Sequence, residues 1–149
     1  MFLNRNITAT VYIFNENKVL LHMHKKYKSL FPIGGHMEKD ELPIETASRE
    51  IKEETGLIDI EWFDAAPNLE LQRGQMITPY FLLHENIGKE DDEIIDMIFA
   101  ARTHCWNLKP DENESKEFYW MAKEEIEQST DIKPHIRSVA LKLFEILNI

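Results

Sequence analysis

The sequence has few of the residues that cross-link a small fold or carry it through a membrane. Of its 149 residues, 5 are glycine, 6 are proline and 1, Cys105, is cysteine. A single cysteine excludes an internal disulfide framework and is typical of a reducing compartment. The first residues contain no long apolar segment and no cleavage-site pattern, and no window approaches eighteen apolar residues. We therefore expect a cytoplasmic protein with no membrane partner.

Basic residues are also scarce. Lys and Arg number 17 against 27 Asp and Glu, which gives a formal net charge of −10. A protein that binds long nucleic acid needs a basic face, so this function is not expected. Binding of a small anion whose charge is neutralised by a metal remains compatible with this composition. The length and the 43% of hydrophobic residues predict one compact domain over residues 1–149.

Strand patterns lie on both sides of one helical segment. Two β-rich runs between Ile7 and His24 surround the polar turn NENK and predict a hairpin. Further strands are predicted at Ile58–Phe63, Leu69–Gln72, Pro79–His84, Ile94–His104 and Glu117–Met121, with the charged turn GKEDDE between two of them. A short helix is predicted at 123–128, and apolar residues recur with helical spacing after Pro134. This order predicts a mixed sheet covered by helices.

The central helix is predicted from about Pro43 to Thr55. Proline suits the first turn of a helix, and Gly56 supplies a C-terminal stop. One face is expected to be buried opposite the acidic residues, formed by Ile44, Ala47, Ile51 and the alkyl carbons of Lys52. The helix can therefore pack with one side and bind a ligand with the other.

Three acidic residues of this helix are spaced to crowd one another. Glu50, Glu53 and Glu54 stand at i, i+3 and i+4, which places their Cβ atoms within about 5–6 Å on a helix. Like charges at this separation repel, so a positive charge must offset them. Hard cations such as Mg²⁺ and Mn²⁺ prefer oxygen ligands and are the natural candidates.

The run from Gly35 to Leu57 also fits the pattern G-x5-E-x7-R-E-U-x-E-E-x-G-U, in which U is apolar. Its specified positions are filled by Gly35, Glu41, Arg49, Glu50, Ile51, Glu53, Glu54, Gly56 and Leu57. This pattern is the signature of the Nudix hydrolase family, which the chain resembles closely in its MutT-like form. The resemblance implies an α/β fold, an α/β/α sandwich with a mixed β-sheet, which agrees with the predicted order of elements.

The resemblance also implies a ligand set and a reaction. The carboxylates of Glu50, Glu53 and Glu54, with the backbone carbonyl of Gly35, are expected to hold Mg²⁺ or Mn²⁺ while water attacks phosphorus in a pyrophosphate. Arg49 is expected to orient a glutamate without touching the substrate. Glu41 is expected to support the loop or a water beyond the ligands.

The identity of the general base stays open at this stage. Relatives use either a glutamate of the signature or one from a later loop. Here the later candidates are Glu114 and Glu117, with Asp111 and Glu112 further away. We favour Glu114 as an additional ligand or base, the alternative being an ordinary solvated loop acid.

Other residues give weaker signals of substrate binding. Lys25, Lys26 and Lys28 follow the hairpin and are either a solvated strand end or phosphate contacts; Lys25 is the preferred candidate. His36 either touches phosphate or faces solvent, and Glu117 is a further substrate-binding candidate. Aromatic residues could stack on a base or belong to the core: Trp62, Phe63, Tyr80, Phe81 and Trp106. Cys105 is expected to be an inert strand residue.

Three positions differ from the residues that are most frequent in the family. Pro32 precedes Ile33 where many relatives have proline directly before the two glycines, which changes the entry to the loop. Asp40 replaces a frequent glycine and is expected to tolerate positive φ. Leu42 replaces a capping Ser or Thr, which costs about 1 kcal/mol if nothing substitutes.

The leading hypothesis is a metal-dependent pyrophosphohydrolase that cleaves a nucleoside diphosphate linked to another group, with a nucleoside triphosphate or an oxidised purine triphosphate as substrate. The alternative is a catalytically inactive Nudix domain that senses nucleotides or regulates transcription. A third, an isomerase of an isoprenyl diphosphate, would need an active-site cysteine for which Cys105 has no suitable context. A homodimer through a sheet edge or the late aromatic strands is possible.

Overall fold

The computed structural model describes residues 4–88 and 92–149. It contains eight strands and three helices in this part of the chain: β1 (Asn4–Asn15), β2 (Lys18–Met23), β3 (Leu30–Phe31), β4 (Ile33–His36), α1 (Pro43–Thr55), β5 (Glu61–Trp62), β6 (Phe81–Asn86), β7 (Asp92–Arg102), β8 (Phe118–Ala122), α2 (Lys123–Gln128) and α3 (Pro134–Ile146). Part of the predicted charged turn GKEDDE, residues 89–91, lies outside the described residues.

Strand β1 is the centre of a mixed sheet. It runs parallel to β7 along the register Asn4↔Asp92 to Phe14↔Arg102, and its other edge pairs antiparallel with two different strands. The β4 strand pairs with the middle of β1, from Thr8 to Val11, and β2 pairs with its end. Strands β3 and β8 extend the sheet on β2, and β5 and β6 extend it on β7. The predicted mixed sheet and the first hairpin are confirmed.

Side chains on the two faces of β1 enter two separate cores. Val11 and Ile13 pack into a cluster that includes the apolar face of α1. Tyr12 and Phe14 point the other way, because successive side chains alternate across a strand, and pack against α2 and α3. The ring of Phe14 meets that of Phe144 edge-to-face at 5.2 Å. The sheet therefore lies between helices on both sides, which confirms the predicted α/β/α sandwich.

Helix α1 begins and ends where the sequence predicts. Its first residue is Pro43, and Gly56 follows its last turn in the left-handed conformation, with φ of 75°. Leu42 precedes the helix and supplies no side-chain cap, but its N–H donates to Glu45 Oε1 at 2.8 Å. This bond satisfies one exposed group at the helix start and partly replaces the missing hydroxyl. Asp40 is not among the described residues with positive φ, so the tolerance expected of it is not needed.

Two expectations about the faces of α1 are wrong. Lys52 is exposed, because it lies about 100° around the helix from the buried Ile51. Glu54 is only 8% exposed, so the carboxylates are not all opposite the core. Seven residues separate Glu54 from Ala47, which is nearly two full turns, so Glu54 lies next to the buried stripe. One acid of the helix is therefore held inside the protein.

The strand predicted at Leu69–Gln72 is absent from the structure, and only Glu61–Trp62 of the strand predicted at Ile58–Phe63 is formed. The backbone around Leu69 bonds to a side chain instead of a neighbouring strand. Its N–H donates to Gln75 Oε1 at 2.7 Å, and Gln75 Nε2 donates to the Pro67 carbonyl at 2.9 Å. Local β-propensity does not form a strand without a partner strand.

The later elements agree with the predictions to within a few residues. Strands β6, β7 and β8 are each displaced slightly from the predicted ranges, α2 has the predicted bounds, and α3 begins at Pro134. In the described part of the chain, no helix is long and apolar enough to cross a membrane.

The C-terminal end of α1 requires glycine at position 56, and this requirement can be tested. A Cβ at this position would collide with the carbonyl of Lys109, and its φ is unfavourable for residues with side chains. We expect Gly56→Ala to lower the free energy of unfolding by about 1–2 kcal/mol from the backbone conformation alone, measured by urea denaturation. Gly74→Ala is the matched control, because no atom lies within 4 Å of the added Cβ. Equal stability of the two variants would contradict this role for Gly56.

Candidate active site

An open cleft of about 880 Å³ lies over the centre of the sheet, on the side of α3. Its floor includes Thr8 and Thr10 of β1 and Asp96 of β7, and the first turn of α3 lines it from above. One end is formed by β4 and by Glu50 and Glu54 of α1. The cleft therefore connects the centre of the sheet with the acidic helix.

Two glycines allow α1 and β1 to approach β4 closely. Gly34 and Gly35 lie within β4, paired with Thr10 and Ala9, and not in the loop that the sequence predicts. A Cβ on Gly34 would lie 2.6 Å from the Ala9 carbonyl oxygen, and one on Gly35 would overlap the Glu50 carboxylate. The backbone of β4 thus lies directly against a carboxylate, which only a residue without a side chain permits.

Arg49 is the cation of the acidic cluster. Its Nε and Nη2 donate to the two oxygens of Glu41 at 2.7 and 3.0 Å, a bidentate pair. Its Nη1 donates to Glu50 Oε1 at 2.9 Å and lies 3.4 Å from Glu53 Oε2, while Nη2 also donates to the His36 carbonyl at 3.1 Å. The Arg49 hydrogen bonds lower the pKa of Glu41 from 4.5 to about 2. Arg49 therefore ties the loop before α1 to the helix.

Glu54 is the most enclosed acid of α1. Its Oε2 accepts a hydrogen bond from the Gly34 N–H at 3.0 Å, and its Oε1 lies 3.8 Å from His22 Nε2. Burial, with a smaller contribution from the charge of Glu50, raises the pKa of Glu54 to about 9. Burial also lowers the pKa of His22 to about 4, so this imidazole is uncharged at neutral pH and does not offset the carboxylate. No role for His22 was predicted, and its position on β2, upstream of the Gly35–Leu57 signature, is the only signal that the sequence offers.

Glu114 reaches the same cluster from a later loop. Two backbone bonds fasten this loop to the end of α1: Lys109 N–H donates to the Thr55 carbonyl, and Asp111 N–H donates to the Glu53 carbonyl, both at 2.8 Å. The charge of Glu114 contributes to the raised pKa values of Glu50 and Glu54, after burial as the main cause. Glu114, the preferred later acid, thus lies near Glu50 and Glu54, whereas Glu112 is an exposed loop residue.

The donor chemistry of this cluster fits a hard divalent cation. The acids are all oxygen donors, and burial and mutual repulsion raise the pKa of Glu50 and Glu54, so a nearby cation would stabilise their charged forms. In the described residues, no three His, Cys, Asp or Glu side chains already converge as a metal cage. Arg49 engages Glu50 and Glu53, and Gly34 engages Glu54, so these side chains would have to exchange partners to coordinate a metal.

Two of the predicted substrate-binding residues lie away from the cleft lining. Lys25 Nζ donates to the Asn113 carbonyl, which turns this side chain towards the later loop. Glu117 accepts a hydrogen bond from the Tyr119 hydroxyl and is exposed. His36 and the neighbouring Lys26 do line the cleft. Strand β2 ends at Met23, and the turn that follows directs successive lysines to different surfaces.

The aromatic residues proposed as stacking candidates serve mainly the cores. Trp62 packs against the core on the α1 side of the sheet, and Phe63, Tyr80 and Phe81 pack against the core on the α3 side. Of the two predicted roles, these residues therefore have the one in the core. Trp106 is exposed and meets Trp120 edge-to-face at 5.1 Å. The rings that line the cleft include instead Tyr12, His24, Tyr27 and Phe31. Cys105 lies beyond the end of β7, and not within a strand as expected.

A comparison with known families decides the assignment. The model of the NUDIX domain matches residues 4–143. The chain belongs to the NUDIX family. This confirms the predicted Nudix hydrolase family, and the match covers nearly all of the chain, including both sides of the cleft.

Solved structures of other Nudix proteins share the fold. A hydrolase of the NUDIX family from Clostridium perfringens is 31% identical, with a TM-score of 0.84 over 97% of this chain and 99% of that one. A MutT protein from Methanosarcina mazei is 19% identical, with a TM-score of 0.71 over 99% and 98% of the two chains. At 19% identity, the similarity to the Methanosarcina protein supports a shared fold only.

One curated relative is similar over part of its length. The probable DHNTP pyrophosphohydrolase of Lactococcus lactis is 35% identical over 66 residues, which is 39% of this chain and 40% of the relative. The match therefore spans well under two thirds of that protein.

The Glu41–Arg49 pair of this Nudix protein predicts a specific response to acid. Because the pKa of Glu41 is lower in the folded state, the pair stabilises the fold above pH 4.5 and loses this effect as pH falls through about 2. We expect Glu41→Gln to melt at a lower temperature than the parent at pH 7, and the difference to shrink between pH 4.5 and 2. Thermal unfolding followed by circular dichroism measures this. A difference that stays constant down to pH 2 would contradict the ion pair.

Proposed function

We propose that this Nudix protein is a metal-dependent pyrophosphohydrolase that cleaves a nucleoside diphosphate linked to another group. The observation that carries the proposal is that Glu50 and Glu54 lie against the β4 backbone at one end of a cleft of about 880 Å³, with Glu53 and Glu114 near enough for their charges to act on both. Attack of water on phosphorus requires neutralised phosphate oxygens and a deprotonated water, and an acidic cluster that binds metal meets both needs.

Each residue of the cluster has a proposed role. Glu50, Glu53 and Glu54, with the Gly35 carbonyl, would hold Mg²⁺ or Mn²⁺, which when bound supplies charge neutralisation and a more acidic water. Arg49 holds Glu50 and Glu53 in place and fastens the preceding loop through Glu41. Glu114 accepts the proton of the attacking water, because its loop is anchored to α1 and brings it near Glu50 and Glu54.

The substrate we propose is a nucleoside triphosphate or a related triphosphate. The cleft is also lined by side chains that can carry positive charge, contributed by separate elements and including Lys26, His36 and Lys133, although the chain as a whole has a net charge of −10. Local positive charge in an acidic protein favours an anionic ligand at that place. The name of the Lactococcus relative, a probable DHNTP pyrophosphohydrolase, supports a triphosphate of a heterocycle. A cytoplasmic location and a homodimer stay predictions.

The ligand set is tested by Glu53→Gln, which removes one charge and keeps the shape of the side chain. We expect Mg²⁺-dependent release of pyrophosphate and monophosphate from a nucleotide panel to fall by at least about 100-fold, since even residues that only support ligands contribute about 10–100-fold. The fold should persist, because Glu53 is a half-exposed side chain on a helix that keeps its core contacts. Product release is measured by chromatography with and without chelator.

Glu127→Gln on α2 is the control, because it removes an exposed glutamate outside the cleft. Parent-like rates for both variants would contradict the metal assignment. Binding of nucleotides by the parent protein without metal-dependent hydrolysis of any panel member would favour the sensing alternative over the enzyme.

A further inference from the structure

Asp96 is an acidic residue of the cleft that the proposed hydrolysis does not use. It lies on β7 in the cleft floor, and its Oδ1 accepts hydrogen bonds from the hydroxyls of Thr8 at 2.8 Å and Thr10 at 2.7 Å. These two bonds occupy both lone pairs of Oδ1. No described residue donates to Oδ2, and this oxygen is not fully enclosed. Asp96 therefore presents one free acceptor oxygen to the cleft in a fixed orientation.

Burying a carboxyl group at this position costs free energy, which indicates that Asp96 is there to bind a ligand. Burial raises the pKa of Asp96, and the Thr10 and Thr8 hydroxyls only partly oppose this increase. A residue that merely filled the floor would be apolar, as Ile98 is two positions along the same face. The two threonines hold the carboxylate in position before a ligand arrives, which is the arrangement of a recognition group.

The sheet register places Asp96 at a useful distance from the acidic helix. Thr8 on β1 faces Asp96 on one side and His36 of β4 on the other. Two strand spacings, about 10 Å, therefore separate Asp96 from the β4 backbone beside which the metal ligands lie. That is the length scale between the base edge of a nucleotide and its phosphates. A substrate with its phosphates at α1 would bring its heterocycle over Asp96.

We propose that Asp96 selects substrates whose heterocycle carries a ring N–H beside an amino group, the 2-amino-oxopyrimidine edge shared by guanine and pterins; this inference rests on the proposed function. An acceptor oxygen is complementary to two adjacent donors. Adenine and cytosine place a ring nitrogen acceptor beside their amino group, which would face the carboxylate lone pairs. Uracil flanks its single N–H with two carbonyl oxygens.

Aromatic side chains form part of the cleft wall. The rings of Tyr27 and Phe31 lie 5.6 Å apart in a stacked arrangement, and His24 lies 4.7 Å from Tyr27. These rings line the same cleft as Asp96. Aromatic side chains provide contact area for any heterocycle. They therefore contribute affinity, and Asp96 contributes selectivity between heterocycles.

The test compares GTP with ITP, which differs only in lacking the 2-amino group. We expect the parent to show a kcat/KM for GTP at least about 10-fold above that for ITP, because a site built around a charged acceptor discriminates against a ligand without the donor. The difference should lie mainly in KM, since Asp96 is remote from phosphorus. Asp96→Asn should bring the ratio of the two values close to one. Dihydroneopterin triphosphate should behave as GTP does.

Glu85→Gln is the matched control for loss of negative charge, because Glu85 lines the same cleft without a threonine cradle. It should keep the parent ratio; a collapse of the ratio in this variant as well would overturn the assignment to Asp96. Equal use of GTP and ITP by the parent would overturn the proposal directly, without any variant.

A binding measurement separates this inference from the proposed function. Calorimetric titration with GMP and IMP in the absence of metal should show tighter binding of GMP by the parent and no preference by Asp96→Asn. Failure of the proposed function would appear as no metal-dependent hydrolysis of any triphosphate, whatever the binding preference. Equal affinities of GMP and IMP for the parent, together with metal-dependent hydrolysis, would overturn the role of Asp96 alone.

Discussion

The contact between α1 and β4 is the constraint on which the rest of the site depends. Glu50 lies where only a glycine at position 35 leaves room, and Glu54 is enclosed beside the N–H of Gly34. Acidic groups in such surroundings are costly unless a positive charge or hydrogen-bond donors compensate them. Arg49 supplies the positive charge, and the β4 backbone supplies a donor. The same buried acidic groups therefore determine both the stability of this contact and its capacity to bind a cation.

The loop after β7 completes this arrangement by using the end of the helix. The last carbonyls of α1 have no partner within the helix, and the N–H groups of Lys109 and Asp111 bond to two of them. Gly56 turns the chain away in the left-handed conformation, which leaves space for Lys109. The loop that carries Glu114 is thus positioned by helix capping.

Local patterns predicted the parts of the molecule that local physics determines. Pro43 and Gly56 fixed the ends of α1 because their backbone preferences hold in any context. The strand prediction at Leu69–Gln72 failed because an apolar run forms a strand only beside another strand. Here the Gln75 side chain hydrogen-bonds to the backbone instead. Spacing in the sequence identified the acidic cluster, whereas the burial of Glu54 follows from how α1 lies on the sheet.

The cleft floor could not be predicted for a similar reason. Thr8 and Asp96 are 88 residues apart, and only the parallel pairing of β1 with β7 brings them together. The same distance in sequence separates Lys25 from the Asn113 carbonyl that diverts it from the cleft. Patterns within short windows carry no information on such pairs.

The pairing of β1 with β7 also has a consequence for how the protein is made. On the ribosome, β1 emerges well before its longest neighbour, because β1 ends at Asn15 and β7 begins only at Asp92. Until then, one edge of β1 has unsatisfied backbone groups and its apolar faces lack a partner strand. Contacts so distant in sequence close slowly. The hairpin of β1 and β2 can form during synthesis, but the floor of the cleft can assemble only after β7 has been made.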